Sequence, residues 1–319
     1  MSRVPRPAIL LMAYGSPETP DQVEAYFTHI RGGRAPSPEA VAHLRHRYEL
    51  VGGRTPLLEI TRALRDALAA RAEAHARPRR VYVGMKHWHP YIGDTMRAMA
   101  ADGVTQVTAL ALAPHFSRIS IGGYRKAVDD SNDALGRPFD VTFVDAWHLE
   151  PAFIALVAAR VRETLAVFEP GAPVTTVFSA HSLPVRIREW RDPYESQLLE
   201  SCAAVAQRAG LTDWRFAWQS AGNTSEPWLG PDICDYLEAL HAEGVRRVLS
   251  VPIGFTCDHL EVLFDIDHEA KERADALGME LRRTRMPNAS PEFVATIDAI
   301  VARADRASRS PLAISGRWS

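Results

Sequence analysis

The fold of this chain is decided by residues 174–184, which read VTTVFSAHSLP. The β-branched and apolar residues up to Ser179 predict a buried strand, and Pro184 cannot continue a strand ladder. His181 therefore lies where the strand opens into a loop. Because ligands bind at the carboxyl ends of parallel strands, His181 is a candidate site residue. The alternative left open at this point is that the imidazole only hydrogen-bonds to the neighbouring backbone.

Apolar segments of strand length alternate with segments of helical periodicity on both sides of residues 174–184. The predicted strands are residues 8–13, 81–85, 107–113, 141–146, 174–179, 215–219, 245–251 and 281–285. Three predicted helices separate the first two strands, and we expect them to form one wall of a site. This order predicts an α/β fold with mainly parallel sheets flanked by helices.

The two halves of the chain resemble each other weakly. The motif HPYIG at residues 89–93 matches EPWLG at residues 226–230, and each leads into a predicted helix. The repeat favours two similar α/β domains that face each other across a cleft, where we expect the site. We predict domains at residues 1–165 and 166–319. The last predicted helix is a candidate to pack back on the first domain.

The composition is typical of a soluble globular protein, with 46% hydrophobic and 24% charged residues among 319. The net charge is −2 and the basic residues are dispersed, which excludes an extended nucleic-acid surface. No apolar stretch reaches the length of a membrane span, and the first seven residues lack the apolar core of a signal peptide. We therefore expect a cytoplasmic protein without a transmembrane segment.

The three cysteines, Cys202, Cys234 and Cys257, lie far apart and form no C-x-x-C pair. Their spacing predicts neither a zinc site nor an iron–sulfur cluster. An odd number of cysteines without a disulfide pattern fits a reducing compartment.

An acidic segment in the second half is the other candidate for chemistry. Residues 254–269 read GFTCDHLEVLFDIDHE, and a helix from Asp258 would stack Glu261, Asp265 and Glu269 on one face. Like charges at that spacing repel, and a solvated helix face is the alternative interpretation. The apolar neighbours of Glu261 favour a half-buried carboxylate, which requires a partner. Carboxylates followed by an imidazole predict a docking point for a divalent first-row metal ion.

Other chemistries lack their sequence patterns. The chain has no G-x-S-x-G elbow, so Ser179, His181 and Ser182 do not predict a hydrolase. No glycine-rich nucleotide loop follows a predicted strand. Two closely spaced histidine pairs lack a third ligand and are interpreted as ordinary histidines: His43 with His46, and His87 with His89.

Three segments, in order along the chain, resemble the signature segments of the ferrochelatase family. They are SAHSLP at 179–184, WQS at 218–220 leading to PWLGP at 227–231, and DHLE at 258–261. The likeness runs from about residue 9 to residue 293. It implies two facing Rossmann-like domains and a lyase that inserts Fe²⁺ into a porphyrin in heme biosynthesis.

The resemblance also implies roles for individual residues. His181 and Glu261 stand at the family's metal-site positions, and Asp265 and Glu269 continue the acidic row toward solvent. The segment AYGSP, which contains Tyr14, is similar to the branch that uses coproporphyrin III, where a tyrosine faces the macrocycle. The resemblance therefore implies coproporphyrin III as the substrate.

The same branch implies that the helices of the first domain bind the propionate groups. The matching positions are Arg31, Arg47, Tyr48, Thr55 and Tyr124. Thr55 replaces the usual serine and keeps a hydroxyl, whereas Gly32 replaces an arginine of some relatives, which removes one charge.

Some relatives carry a [2Fe–2S] cluster on C-terminal cysteines, but the last cysteine here is Cys257, so we expect no cluster and no cofactor beyond substrate Fe²⁺. We expect a monomer that binds porphyrin and Fe²⁺ and makes transient contacts with neighbouring heme-pathway enzymes. Three alternatives remain open: a protoporphyrin IX ferrochelatase, a cobalt or nickel chelatase for another tetrapyrrole, and a non-catalytic porphyrin carrier.

Overall fold

The computed structural model describes residues 7–73 and 78–308. Within these residues the strands are β1 (Pro7–Ala13), β2 (Arg80–Met85), β3 (Gln106–Ala111), β4 (Asp140–Val144), β5 (Thr175–His181), β6 (Arg215–Gln219), β7 (Arg247–Val251) and β8 (Glu280–Arg283). They form two four-stranded sheets, with the orders β2-β1-β3-β4 and β6-β5-β7-β8. Every strand pair in these ladders is parallel. The predicted α/β fold with two similar sheets is confirmed.

Helices flank both sheets. They are α1 (Val23–Ile30), α2 (Pro38–Leu50), α3 (Leu57–Glu73), α4 (Ile92–Ala101), α5 (Ile121–Ala134), α6 (Pro151–Leu165), α7 (Tyr194–Ala209), α8 (Ile233–Ala242), α9 (Leu260–Leu263), a π-helix (Asp265–Ala270), α10 (Lys271–Ala276) and α11 (Pro291–Ser308). Two short 3₁₀ turns are Pro20–Gln22 and Val185–Arg188.

One of the two inner strands of each sheet, β1 in the first and β5 in the second, is taken as its central strand and is buried along nearly its whole length. Strands covered by helices on both faces are continuously apolar, which explains the unbroken runs in β1 and β5. Tyr14 directly follows β1, and His181 is the last residue of β5. The fold therefore puts these two side chains at the carboxyl ends of the two central strands, where ligands of parallel sheets bind.

One hydrophobic core joins the two halves. It includes Ile9 of β1, Phe178 of β5, Val157 of α6 and Ile297 of α11. The last helix, α11, packs against α3, β3 and β4 of the first half and also against α6. The predicted boundary between residues 165 and 166 stays a prediction, and both outer domain limits lie outside the described residues.

The helix predicted from Asp258 onward is interrupted. The chain forms only one α-turn, α9, before the π-helix, in which the Glu269 N–H donates to the Phe264 carbonyl oxygen at 2.8 Å. This bond spans five residues, one more than in an α-helix. The side chains of the acidic row therefore do not follow the four-residue repeat that the sequence predicts.

Candidate active site

Three predicted site residues lie near one another and are partly exposed, and we call the region that they share the cleft. Tyr14 is 39% exposed, and the side chains of His181 and Glu261 are 32% and 28% exposed, so a ligand can reach all three. His181 and Glu261 are in direct contact. Desolvation raises the pKa of the Tyr14 phenol, and the nearby Glu261 carboxylate raises it further. The prediction that an imidazole and an acid from distant segments meet here agrees with this geometry.

The glycine after Tyr14 is required by the local packing. Gly15 has φ +97°, and a Cβ at this position would lie 2.8 Å from the backbone nitrogen of Trp88. A larger residue would therefore be strained and would collide with the main chain. The segment AYGSP thus turns sharply at Gly15 and leaves the Tyr14 ring at the cleft, 4.5 Å from the His87 ring between centroids.

The hydrogen bond of His181 determines which of its nitrogens can act as a base. Its Nδ1 contacts the carbonyl oxygen of Ser182. A carbonyl oxygen only accepts hydrogen bonds, so Nδ1 carries the proton and Nε2 of the neutral ring keeps its lone pair. Nε2 lies 3.5 Å from Oε1 of Glu261. This nitrogen can accept a proton, and the resulting imidazolium would face a carboxylate.

A second histidine, His259, which we did not predict as a site residue, faces the other oxygen of Glu261. Its Nε2 lies 3.5 Å from Oε2, and its Nδ1 is 3.0 Å from the Cys257 carbonyl oxygen. Burial alone would raise the pKa of Glu261, but His181, His259 and Arg47 outweigh burial and lower it to about 2. Glu261 is therefore an anion at neutral pH.

Buried polar side chains at the end of β6 hold the backbone of α9. Gln219 donates from Nε2 to the Glu261 carbonyl oxygen at 2.8 Å and accepts from the Ser179 hydroxyl at 2.9 Å. Both side chains are fully buried, so these hydrogen bonds have no competition from solvent. We did not predict Gln219, although it lies in the WQS segment that carried part of the resemblance.

The outer part of the acidic row differs from the prediction. Asp265 does not face solvent: it is 3% exposed, accepts a hydrogen bond from Ser220 and forms an ion pair with Arg47. The Arg47 guanidinium also lies 4.3 Å from the centre of the Phe264 ring. Of Glu261, Asp265 and Glu269, only Glu269 is exposed. A buried carboxylate needs such partners, and they turn Asp265 inward.

The pKa of Asp265 leads to a prediction about stability. Burial raises it from 3.8 to about 6, against the opposing effects of Arg47 and Ser220. The folded protein then holds this proton more tightly than the unfolded chain, so the stability contributed by Asp265 falls as the pH rises through this window. Relative to Asp265→Asn, we expect the wild type to lose up to about 1.4 kcal/mol of unfolding free energy per pH unit.

Urea unfolding at several pH values measures this difference. Asp275→Asn is the control, because the Asp275 side chain is 57% exposed on α10. A difference between the wild type and Asp265→Asn that stays constant from about pH 4 to about pH 6 would contradict the prediction.

Two predicted propionate contacts are hydrogen-bonded inside the protein. The Tyr48 hydroxyl lies 3.0 Å from the Ser16 Oγ, and the Thr55 hydroxyl donates to the same oxygen at 2.8 Å. Tyr48 and Thr55 are 1% and 9% exposed. A propionate would reach these hydroxyls only by displacing one of these bonds, so their role in binding substrate stays a prediction.

The other predicted propionate contacts differ in accessibility. Arg31 is exposed at the end of α1, with its guanidinium 5.8 Å from the centre of the Phe27 ring. Tyr124 is buried in the first half. Arg47 is occupied by Asp265 at Nη2, but its buried Nε finds no hydrogen-bond partner among the described residues. This N–H is shielded from solvent, so a propionate would reach it only after the surrounding side chains move.

The structure also bears on metal-binding groups, disulfide bonds and membrane spans in the described residues. No group of three or more His, Cys, Asp and Glu side chains there has an arrangement suited to holding a metal ion. Cys202, Cys234 and Cys257 are free thiols. None of the helices in residues 7–73 and 78–308 combines the length and apolar character that crossing a membrane requires.

Comparison with known proteins identifies the family. The ferrochelatase family model matches residues 6–305. The chain belongs to the ferrochelatase family. Ferrochelatases are metal chelatases of the lyase class, so the predicted enzyme class is confirmed and a non-catalytic carrier is set aside.

Individual ferrochelatases cover nearly the same length. A ferrochelatase from Herpetosiphon aurantiacus is 48% identical over 297 residues, covering 92% of this chain and 97% of that protein. The coproporphyrin III ferrochelatase of Bacillus subtilis is 40% identical over 302 residues, covering 92% and 96%.

Solved structures of chelatases share the ferrochelatase fold seen here. The structure of SirB from Bacillus subtilis with Fe³⁺ has a TM-score of 0.57 and 11% identity, and the match covers 95% of this chain and 97% of that one. At this identity the likeness concerns the fold alone.

Proposed function

We propose that this chain inserts Fe²⁺ into coproporphyrin III in heme biosynthesis, with His181 as the base that accepts the pyrrole protons. The observation that carries the proposal is the pair formed by His181 and Glu261, whose Nε2 and Oε1 atoms lie 3.5 Å apart and whose side chains are both partly exposed. An imidazole and a carboxylate at that distance can accept a proton and bind a divalent cation.

His181 accounts for the proton transfer. One Fe²⁺ replaces two pyrrole protons, so the net charge of the macrocycle is the same before and after insertion. The Nε2 lone pair accepts a proton while Nδ1 stays bonded to the Ser182 carbonyl oxygen. The second proton follows after the imidazolium has passed the first one to solvent, which reaches the 32% exposed side chain.

Glu261 acts as a fixed negative charge in this mechanism. Its pKa of about 2, which results from burial opposed by His181, His259 and Arg47, makes it a poor proton acceptor. We therefore assign it to two electrostatic tasks, which are binding the incoming iron and stabilising the His181 imidazolium. His259, on the other carboxylate oxygen, keeps Glu261 oriented toward the cleft.

Coproporphyrin III is favoured as the substrate by the residues of the first half. Tyr14 stands in the AYGSP segment at the cleft, and a 40% identical relative carries the name coproporphyrin III ferrochelatase. Coproporphyrin has four propionates and protoporphyrin has two. Arg31 is exposed, and its guanidinium is a suitable donor for such a carboxylate.

Iron insertion into the two porphyrins tests the substrate assignment. We expect kcat/KM for coproporphyrin III to exceed that for protoporphyrin IX by at least about tenfold, because each additional charge-assisted hydrogen bond contributes about 1.5–3 kcal/mol. Anaerobic assays that follow the Soret band with Fe²⁺ measure both rates. Equal or faster turnover of protoporphyrin IX would exclude this assignment, and faster insertion of Co²⁺ or Ni²⁺ would argue against iron.

The remaining features of the proposal follow the same family relation. We propose that the enzyme works in the cytoplasm as a monomer, exchanges porphyrin through transient contacts with neighbouring heme-pathway enzymes, and uses no iron–sulfur cluster or other cofactor. Sedimentation and metal analysis of the purified chain test the oligomeric state and the cofactor content.

A further inference from the structure

Lys86 differs from the other lysines in its lack of an acidic partner. The chain contains three lysines, Lys86, Lys126 and Lys271. Each of the other two forms an ion pair with an aspartate four residues later, with Asp130 and Asp275 respectively. No residue in the described ranges forms an ion pair or hydrogen bond with the Lys86 ammonium group.

The backbone directs Lys86 toward the candidate active site. Lys86 follows β2, and its N–H donates to the Ala13 carbonyl oxygen at 2.9 Å, directly before Tyr14. The ammonium nitrogen lies 5.1 Å from the centre of the Tyr124 ring. A Cβ added to Gly123 would collide with this nitrogen, so the glycine permits its approach to α5. Lys86 therefore lies among residues of the first half that we relate to substrate binding.

Within residues 7–73 and 78–308, no acidic side chain pairs with this charge. Lys86 is half-buried, and burial lowers the pKa of its ammonium group. Burial, followed by Lys86 and His29, lowers the pKa of the adjacent His87 to about 3, so this imidazole supplies no charge. The first turn of α5 contains no acidic residue. The face of an aromatic ring attracts a cation only weakly, so the Tyr124 ring does not replace a carboxylate.

We propose that Lys86 binds a propionate of coproporphyrin III that protoporphyrin IX lacks. This inference rests on the proposed function. The two propionates of protoporphyrin IX are neighbours on one edge of the macrocycle, whereas coproporphyrin III carries one on each pyrrole ring. Arg31 and Arg47 supply cations from α1 and α2, which pack together. Lys86 supplies one from β2 beside α5, and so serves carboxylates on another part of the ring.

Porphyrin binding without metal tests this role separately from turnover. Lys86→Met keeps an unbranched side chain that is one atom shorter and removes its charge. We expect the variant to bind coproporphyrin III at least about tenfold more weakly and protoporphyrin IX less than about twofold more weakly, as followed by the Soret shift. Lys86→Arg keeps the charge and should bind coproporphyrin III within about threefold of the wild type.

Lys126→Met is the matched control, because Lys126 is exposed and paired with Asp130. Higher salt should weaken coproporphyrin III binding less in Lys86→Met than in the wild type, since a screened ionic contact has been removed. Unchanged binding, or an equal loss for both porphyrins, would overturn the proposal. A wild type that itself prefers protoporphyrin IX would instead refute the proposed substrate.

Discussion

Replacing His181 with alanine is expected to lower the turnover number for iron insertion by at least about 10²-fold, the lower end of the range for losing a general base. The reason lies in its two nitrogens: Nδ1 is tied to the Ser182 carbonyl oxygen, and Nε2 alone has a lone pair in the cleft. Glu261 is a poor substitute as base: its pKa is about 2 in the wild type, and His259 and Arg47 still lower it when the contribution of His181 is lost.

Anaerobic absorbance assays with saturating Fe²⁺ and coproporphyrin III measure this loss. His46→Ala is the control, because the His46 side chain is 64% exposed and contacts Glu49 on the same helix. Porphyrin binding without metal should persist in His181→Ala, which separates a chemical role from misfolding. A variant that keeps a near-normal turnover number and binds porphyrin would return His181 to a purely structural role.

The change of Glu261 to glutamine is expected to reduce turnover by about 10²–10³-fold, comparable with losing one preorganised electrostatic group in other enzymes. Glutamine keeps the shape of the side chain but removes the charge that faces His181 Nε2 and His259 Nε2, each at 3.5 Å. The imidazolium formed during proton transfer then lacks its counter-ion, and the incoming iron loses an anionic ligand.

Glu272→Gln is the matched control for this change, since the Glu272 side chain is 70% exposed on α10. The double variant His181→Ala, Glu261→Gln should be nearly as active as His181→Ala alone, because residues that act as one unit are not additive. Losses that multiply in the double variant would show that the two residues act independently. They would contradict the shared role.

The sequence predicts the sheets well because their signal is local. A strand buried on both faces must be apolar throughout, and the runs that became β1 and β5 satisfy this condition regardless of distant contacts. Their ends place Tyr14 and His181 at the cleft. The pairing of His181 with Glu261 was also predictable, since each stood in a recognisable motif.

The residues that the sequence analysis missed depend on backbone geometry or distant contacts. In a continuous helix from Asp258, His259 and Glu261 would point in different directions. The structure instead gives His259 an extended backbone, with φ −156° and ψ −177°, just before α9 begins, so its ring can meet Glu261. The π-helix coincides with the ion pair from Arg47 to Asp265, which are 218 residues apart in the chain. No local pattern contains that information.

The position of α11 affects how the protein is made. This helix is the last described element, yet it packs against α3, β3 and β4, which are synthesised early. A nascent chain lacking residues 291–308 would therefore leave the ribosome with an uncovered apolar surface on its first sheet. Such surfaces favour aggregation, so the first half completes its core only after α11 has been synthesised.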